Sequence, residues 1–122
     1  MSEKKILIVD DEPNILMSLE YAFKKKAFQV YVARDGTEAL EIADEYFPDV
    51  VLLDIMMPHL DGYETLKRLR ANKKLSHTKV VFLSAKSKEA DLKKGLELGV
   101  DSYETKPFSI KRIIAKVEDL IS

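Results

Sequence analysis

Ile6-Leu7-Ile8-Val9-Asp10-Asp11-Glu12-Pro13 decides the fold. Four consecutive apolar residues, three of them β-branched, suit a strand buried on both faces, as in a parallel sheet covered by helices. Three carboxylates follow at once, and Pro13 suits the first turn of a helix. Two further runs read alike: Val50-Val51-Leu52-Leu53, followed by Asp54, and Val80-Val81-Phe82-Leu83, followed by Ser84. Phe28 to Val32 and Ser102 to Thr105 are shorter and mixed, as edge strands would be; Lys106 and Pro107 follow the second.

Amphipathic segments separate the runs. Ile15, Leu16, Leu19, Ala22 and Phe23 share one helical face, and Ala39, Leu40, Ala43, Tyr46 and Phe47 another. Tyr63, Leu66 and Leu69 mark a third, and Ile110, Ile113, Ile114, Val117 and Ile121 a fifth. The fourth, around Glu89 to Leu98, has a patchy apolar face and carries Gly95, which costs a helix about 1 kcal/mol relative to alanine. Asp35-Gly36-Thr37-Glu38 and Asp61-Gly62-Tyr63-Glu64 resemble capping boxes. Ser87 and Ser109 suit N-caps, and Gly99 a helix C-terminus. Strand and helix alternate five times, and right-handed crossovers then predict an α/β, doubly wound, five-stranded parallel sheet.

Composition narrows the classes. The 122 residues fit one compact domain over 1–122 and leave little room for a second. With 46% hydrophobic and 34% charged residues, a packed core is expected. Twenty basic against 21 acidic residues give a net charge of −1, with no global pull toward nucleic acid or anionic membrane. Cysteine chemistry is excluded because there is none. Neither an apolar leader after Met1-Ser2 nor an 18-residue apolar run is present, so a cytoplasmic location is expected.

In an open parallel sheet ligands bind beyond the carboxyl ends of the strands. Asp10, Asp11, Glu12, Asp54, Ser84 and Lys106 therefore converge on one edge. Two carboxylates about 4 Å apart repel by roughly 4 kcal/mol at an effective dielectric near 20. One lysine cannot neutralise the cluster; a hard divalent cation can, and Mg²⁺ is usual beside phosphates. An aspartate in such a setting can be the nucleophile of phosphoryl transfer, although the residues alone do not choose which one.

Ile8-Val9-Asp10-Asp11-Glu12-Pro13, Leu53-Asp54-Ile55-Met56-Met57-Pro58 with Asp61-Gly62, Leu83-Ser84-Ala85 and Lys106-Pro107-Phe108 resemble the receiver domain of two-component response regulators over essentially the whole chain. Each motif is weak alone; four in order are highly specific. The resemblance implies a flavodoxin-like strand order 2-1-3-4-5, phosphorylation of Asp54, and Mg²⁺ held by Asp10, Asp11, Asp54 and the Met56 carbonyl. It implies Ser84 and Tyr103 as switch residues, Lys106 as phosphate partner, and a cis bond before Pro107. Met56 and Lys86 fall where side chains tune phosphoryl lifetime. Glu104 stands where many relatives are apolar, which is expected to alter the partner surface. The implied donor is a sensor histidine kinase or phosphotransfer protein, and the implied reader a downstream effector or output domain. A phosphorylation-dependent homodimer stays open, and neither direct nucleic-acid binding nor membrane contact is expected.

Three other classes fit less well. An aspartate-nucleophile phosphatase of the haloacid-dehalogenase-like group wants Asp-x-Asp after the first strand, where this chain has Asp10-Asp11-Glu12. A receiver-like module that is never phosphorylated usually lacks part of the acidic or lysine set. A flavodoxin-like carrier needs a phosphate loop that Asp10-Asp11-Glu12 would repel. Lys24-Lys25-Lys26 reads as a solvated helix end, and His59 and His77 as loop residues without metal-ligand spacing.

Overall fold

A computed structural model of the chain describes residues 3–57, 60–84 and 89–122, apart from the side chains of 89–92. The expectations for Pro58, His59, Ala85, Lys86 and Ser87 fall outside the described residues. The elements run β1 (Lys5–Val9), α1 (Pro13–Lys25), β2 (Gln29–Ala33), α2 (Gly36–Tyr46), β3 (Val50–Asp54), α3 (Gly62–Ala71), a short 3₁₀ helix (Lys73–Leu75), β4 (Lys79–Ser84), α4 (Glu89–Glu97), β5 (Ser102–Thr105) and α5 (Ile110–Ile121). The five strands form one parallel sheet in the order β2-β1-β3-β4-β5.

Strand alternation splits the core in two. Leu7, Val9, Val51, Leu53, Val80 and Phe82 pack toward α2 and α3, with Ala39, Ala43, Leu66 and Leu69. Ile6, Ile8, Val50, Leu52, Val81 and Leu83 pack toward α1 and α5, with Leu16, Leu19, Phe23, Ile113 and Val117. The continuous apolar runs are thus strands with helices on both faces.

The caps form as read, in half. Asp35 Oδ1 accepts from Glu38 N–H at 2.8 Å, and Asp61 Oδ1 from Glu64 N–H at 2.9 Å. The return bonds of a capping box go elsewhere: Glu38 Oε1 accepts from Arg34 N–H, and Glu64 Oε2 meets Arg68 Nε. Ser109 caps α5 through Arg112 N–H, and Gly99 turns the chain after α4 with φ +96°.

Four expectations change. β2 begins at Gln29, because Phe28 leaves the strand line to meet Phe23 edge-on at 5.1 Å. Tyr46 and Phe47 are exposed rather than core: α2 ends at Tyr46, Phe47 takes a left-handed turn (φ 51°), and Tyr46 stacks on Tyr31. Gly95 is more than a helix weakness. A Cβ there would lie 2.7 Å from the Phe82 ring, so the missing side chain lets α4 close on β4. Glu104 is not part of an open partner surface. It is buried beneath α5, between Lys116 at 2.5 Å and Arg112 at 3.4 Å, and Lys116 Nζ also donates to the Tyr103 carbonyl at 3.0 Å.

Arg70 ties the far end of the sheet together. Its guanidinium donates to the Gly99 carbonyl (3.0 Å), the Thr78 carbonyl (2.7 Å) and Asp101 Oδ2 (2.7 Å), and the same Asp101 oxygen accepts from Val80 N–H. Arg70→Ala should lower the unfolding free energy by about 1–3 kcal/mol, because two carbonyls and a carboxylate lose a charged donor. Urea unfolding reads this. Arg70→Lys should recover less than half, since one ammonium cannot span three acceptors.

Candidate functional site

Three strand ends and one loop build the site. β1 delivers Asp10, whose N–H donates to the Ala33 carbonyl at the end of β2. β3 ends on Asp54, and β4 on Ser84. Lys106 follows β5, its N–H bonded to the Ser84 carbonyl, and the Lys106–Pro107 peptide is cis. Lys106 Nζ reaches Asp10 Oδ2 at 2.9 Å, Glu12 Oε1 at 3.4 Å and Asp54 Oδ2 at 3.5 Å. One ammonium therefore bridges carboxylates from two strands and a loop.

Asp10 is fully buried. Its Oδ1 accepts from Glu12 N–H at 2.9 Å. Its Oδ2 lacks an aligned hydrogen-bond donor among the described residues, so Lys106 meets it as a charge contact. Carboxylate oxygens of Asp10, Asp11 and Glu12 lie within 4.8 Å of one another. A buried carboxylate oxygen met by a single ammonium, within an all-oxygen donor set, fits a hard cation such as Mg²⁺.

Asp54 is 3% exposed. Burial first, and the Asp10 charge second, push its carboxyl up to about 7 against the pull of Lys106 and the Met56 N–H. That N–H donates to Asp54 Oδ1 at 3.2 Å. Burial works to lower Lys106, but contact with Asp10 and the charges of Asp54 and Glu12 hold it above the ordinary ammonium range.

A cleft of about 410 Å³ opens beside the carboxylates, lined by Asp11, Ile55, Met56, Met57 and Asp61. Met56 presents its side chain to solvent, 71% exposed, while its backbone faces Asp54. Ser84 is buried at the end of β4, paired in register with Thr105. Tyr103 is half-buried on β5, in register with Phe82 and packed on the core side of α2 and α3. The structure thus brings Asp10, Asp54 and Lys106 together and sets Asp11 beside Asp10; Tyr103 lies further along β5. Glu12 was read only as a strand-end carboxylate, and its contact with Lys106 across 94 positions has no signal in local sequence. His77 is exposed in a turn.

The profile of the response regulator receiver domain matches residues 6–118. The chain belongs to the response regulator receiver family. This receiver is 44% identical over 118 residues to the alkaline phosphatase synthesis transcriptional regulatory protein PhoP of Bacillus subtilis (strain 168), covering 97% of the receiver and 48% of PhoP. It therefore spans about half the length of that curated relative. The chemotaxis protein CheY4 of Vibrio cholerae superposes with a TM-score of 0.93 at 25% identity, covering 98% of the receiver and 99% of that chain. The receiver domain of the Francisella response regulator 1452 gives 0.89 at 37% identity, covering 98% and 97%. The sheet order of the receiver is the CheY-like, flavodoxin-like one, as expected. No helix among the described residues is long and apolar enough to cross a membrane.

Proposed function

We propose that this receiver is a Mg²⁺-dependent phosphorylation switch, one unit over 1–122, in which Asp54 accepts a phosphoryl group from a sensor histidine kinase or a phosphotransfer protein. The observation that carries the reading is the meeting of Asp10, Asp54 and Glu12 on Lys106 Nζ. An Asp54 carboxylate oxygen attacks phosphorus, and the phosphohistidine P–N bond breaks with its electron pair left on the imidazole, which takes up a proton. Lys106 balances charge on the phosphoryl oxygens. Asp10, Asp11, Asp54 and the Met56 carbonyl are the proposed metal ligands, and Mg²⁺, when bound, supplies the positive charge that holds Asp54 ionised and offsets the transferring group. The chain acts on no other substrate: its chemistry is its own phosphorylation and dephosphorylation.

Output follows from the same strand ends. Ser84 turns its hydroxyl toward the phosphoryl group, Tyr103 moves inward, and the α4–β5–α5 face changes shape for a downstream effector or output domain. Two copies would meet through that face. The likeness to a transcriptional regulatory protein about twice this length supports an output in gene control. The setting is the cytoplasm.

Incubation with Mg²⁺ and acetyl phosphate, followed by intact-mass measurement, should add one phosphoryl group to the wild type. Asp54→Asn should label at least about 100-fold more slowly, and a chelator should abolish labelling of both. An unlabelled wild type, or equal labelling of the variant, would overturn the reading.

A further inference from the structure

Gly62 enters the sequence reading as part of a helix start and of a family motif, with no role of its own, yet its surroundings are the backbone of the phosphoacceptor loop. A Cβ on Gly62 would lie 2.6 Å from the Asp54 carbonyl oxygen and 2.7 Å from Ile55 Cα. Both are main-chain atoms, so no side chain can swing aside. Gly62 opens α3, and the missing side chain answers this crowding. In addition, Gly62 N–H donates to the Ile55 carbonyl at 2.9 Å.

That carbonyl belongs to the Ile55–Met56 peptide. The other polar end of the same peptide is Met56 N–H, which donates to Asp54 Oδ1 at 3.2 Å. A peptide unit is planar, so holding its carbonyl sets the direction of its N–H. The preceding N–H, of Ile55, is held by the Leu83 carbonyl at 3.1 Å. We infer that Gly62 is a positioning residue: the first turn of α3 fixes the Ile55–Met56 peptide plane, and this plane, through Met56 N–H, aims the Asp54 carboxylate. The inference rests on the reading of Asp54 and its metal site given above.

Gly62→Ala should drive the α3 backbone off the loop and turn Met56 N–H away from Asp54. The expected result is a Mg²⁺ dissociation constant raised about tenfold and acetyl phosphate labelling slowed by a similar factor, in the range typical for groups that orient metal ligands. Gly36→Ala is the matched control. Its Cβ would meet Thr65 Oγ1 at 2.2 Å and the Leu60 carbonyl at 2.9 Å, in the α2–α3 contact but away from 54–57. It should lose thermal stability and keep its Mg²⁺ dissociation constant within about twofold. Equal Mg²⁺ affinities for Gly62→Ala and wild type, or equal losses in both variants, would overturn the inference.

If Gly62→Ala does not fold, the wild type still decides. Coupling between sites is reciprocal, so Mg²⁺ should slow hydrogen exchange of the Gly62 amide several-fold and leave the Ala39 amide of α2 unchanged. Identical behaviour of the two amides overturns the inference. A wild type that neither binds Mg²⁺ nor takes up the phosphoryl group overturns the site reading and the inference with it. A wild type that does both beside an unaltered Gly62→Ala overturns the inference alone.

Discussion

Asp54→Asn should make the metal-free protein more stable at neutral pH, by about 2–4 kcal/mol. The side chain is almost fully buried and pushed up to about 7 from an ordinary value of 3.8, mainly by burial and next by Asp10. In the unfolded chain it ionises near its ordinary value. Between the two values the folded protein therefore binds more protons than the unfolded one. Stability falls as pH rises through that window and levels off above it. An amide of the same shape has no such titration. Urea unfolding in a chelator, from weakly acidic to weakly alkaline pH, reads the difference between the two proteins. The gap should open from about pH 4 to about pH 7, and Mg²⁺ should narrow it by stabilising only the carboxylate. An Asn variant of equal or lower stability across the window would show that Asp54 stays ionised without metal.

Lys106→Met should have the opposite sign. Methionine keeps an apolar stem of similar length and removes the charge. Nζ is the ion-pair partner of fully buried Asp10 and lies 3.5 Å from Asp54. Breaking a buried pair from one side costs about 3–5 kcal/mol, because the remaining charge is left uncompensated. Lys106 is held above the ordinary ammonium range, so its contribution is complete at neutral pH and is lost only as pH rises through that raised value. The metal-free variant should therefore be destabilised at neutral pH, because buried Asp10 loses its ion-pair partner. Mg²⁺ should bind more tightly than in wild type, since it no longer competes with an ammonium, and should recover more stability. Labelling by acetyl phosphate should nevertheless fall by roughly 100-fold, the scale seen when a donor to developing charge is removed. Unchanged metal-free stability together with unchanged Mg²⁺ affinity would remove Lys106 from the role of counter-charge.

The two variants separate effects that a loss of activity would merge. Both abolish or slow labelling, but one relieves an electrostatic cost of the empty cluster and the other deepens it. Their stabilities should move in opposite directions with a combined spread of about 5–9 kcal/mol, which is comparable to the whole stability of a domain this size.

The fold was legible because burial on both faces leaves a mark in the chain. Val50–Leu53 and Ile6–Val9 admit no polar residue, and only a central parallel strand asks for that. The strand-end chemistry was legible for the same reason: once the runs are strands, Asp10, Asp54, Ser84 and Lys106 must share an edge. What escaped depends on partners remote in sequence. Glu104 sits in a short polar segment, and only the return of α5 with Arg112 and Lys116 makes a buried position tolerable there. Gly95 reads as a helix flaw until Phe82 is placed against it. Tyr46 and Phe47 have helical spacing, but Phe47 takes the left-handed turn that ends α2 and Tyr46, in the last turn, stacks on Tyr31 at the surface. The proposed roles of Asp54 as acceptor and Tyr103 as switch rest on resemblance, since geometry supplies a cluster and not a direction of transfer.

One bond described with the fold bears on how the molecule stays separate from others. Among the described residues β5 has only β4 beside it, so its outer rim would offer bare main-chain groups to any extended peptide. Lys116 lays its ammonium across that rim and occupies the Tyr103 carbonyl, while Glu104 anchors the same lysine from below. A foreign strand seeking to prolong the sheet would meet a cation already in place of the acceptor it needs. Open sheets commonly guard their borders with lysine; here the guard is borrowed from the last helix, so the Tyr103 acceptor on that border is covered only when α5 is docked.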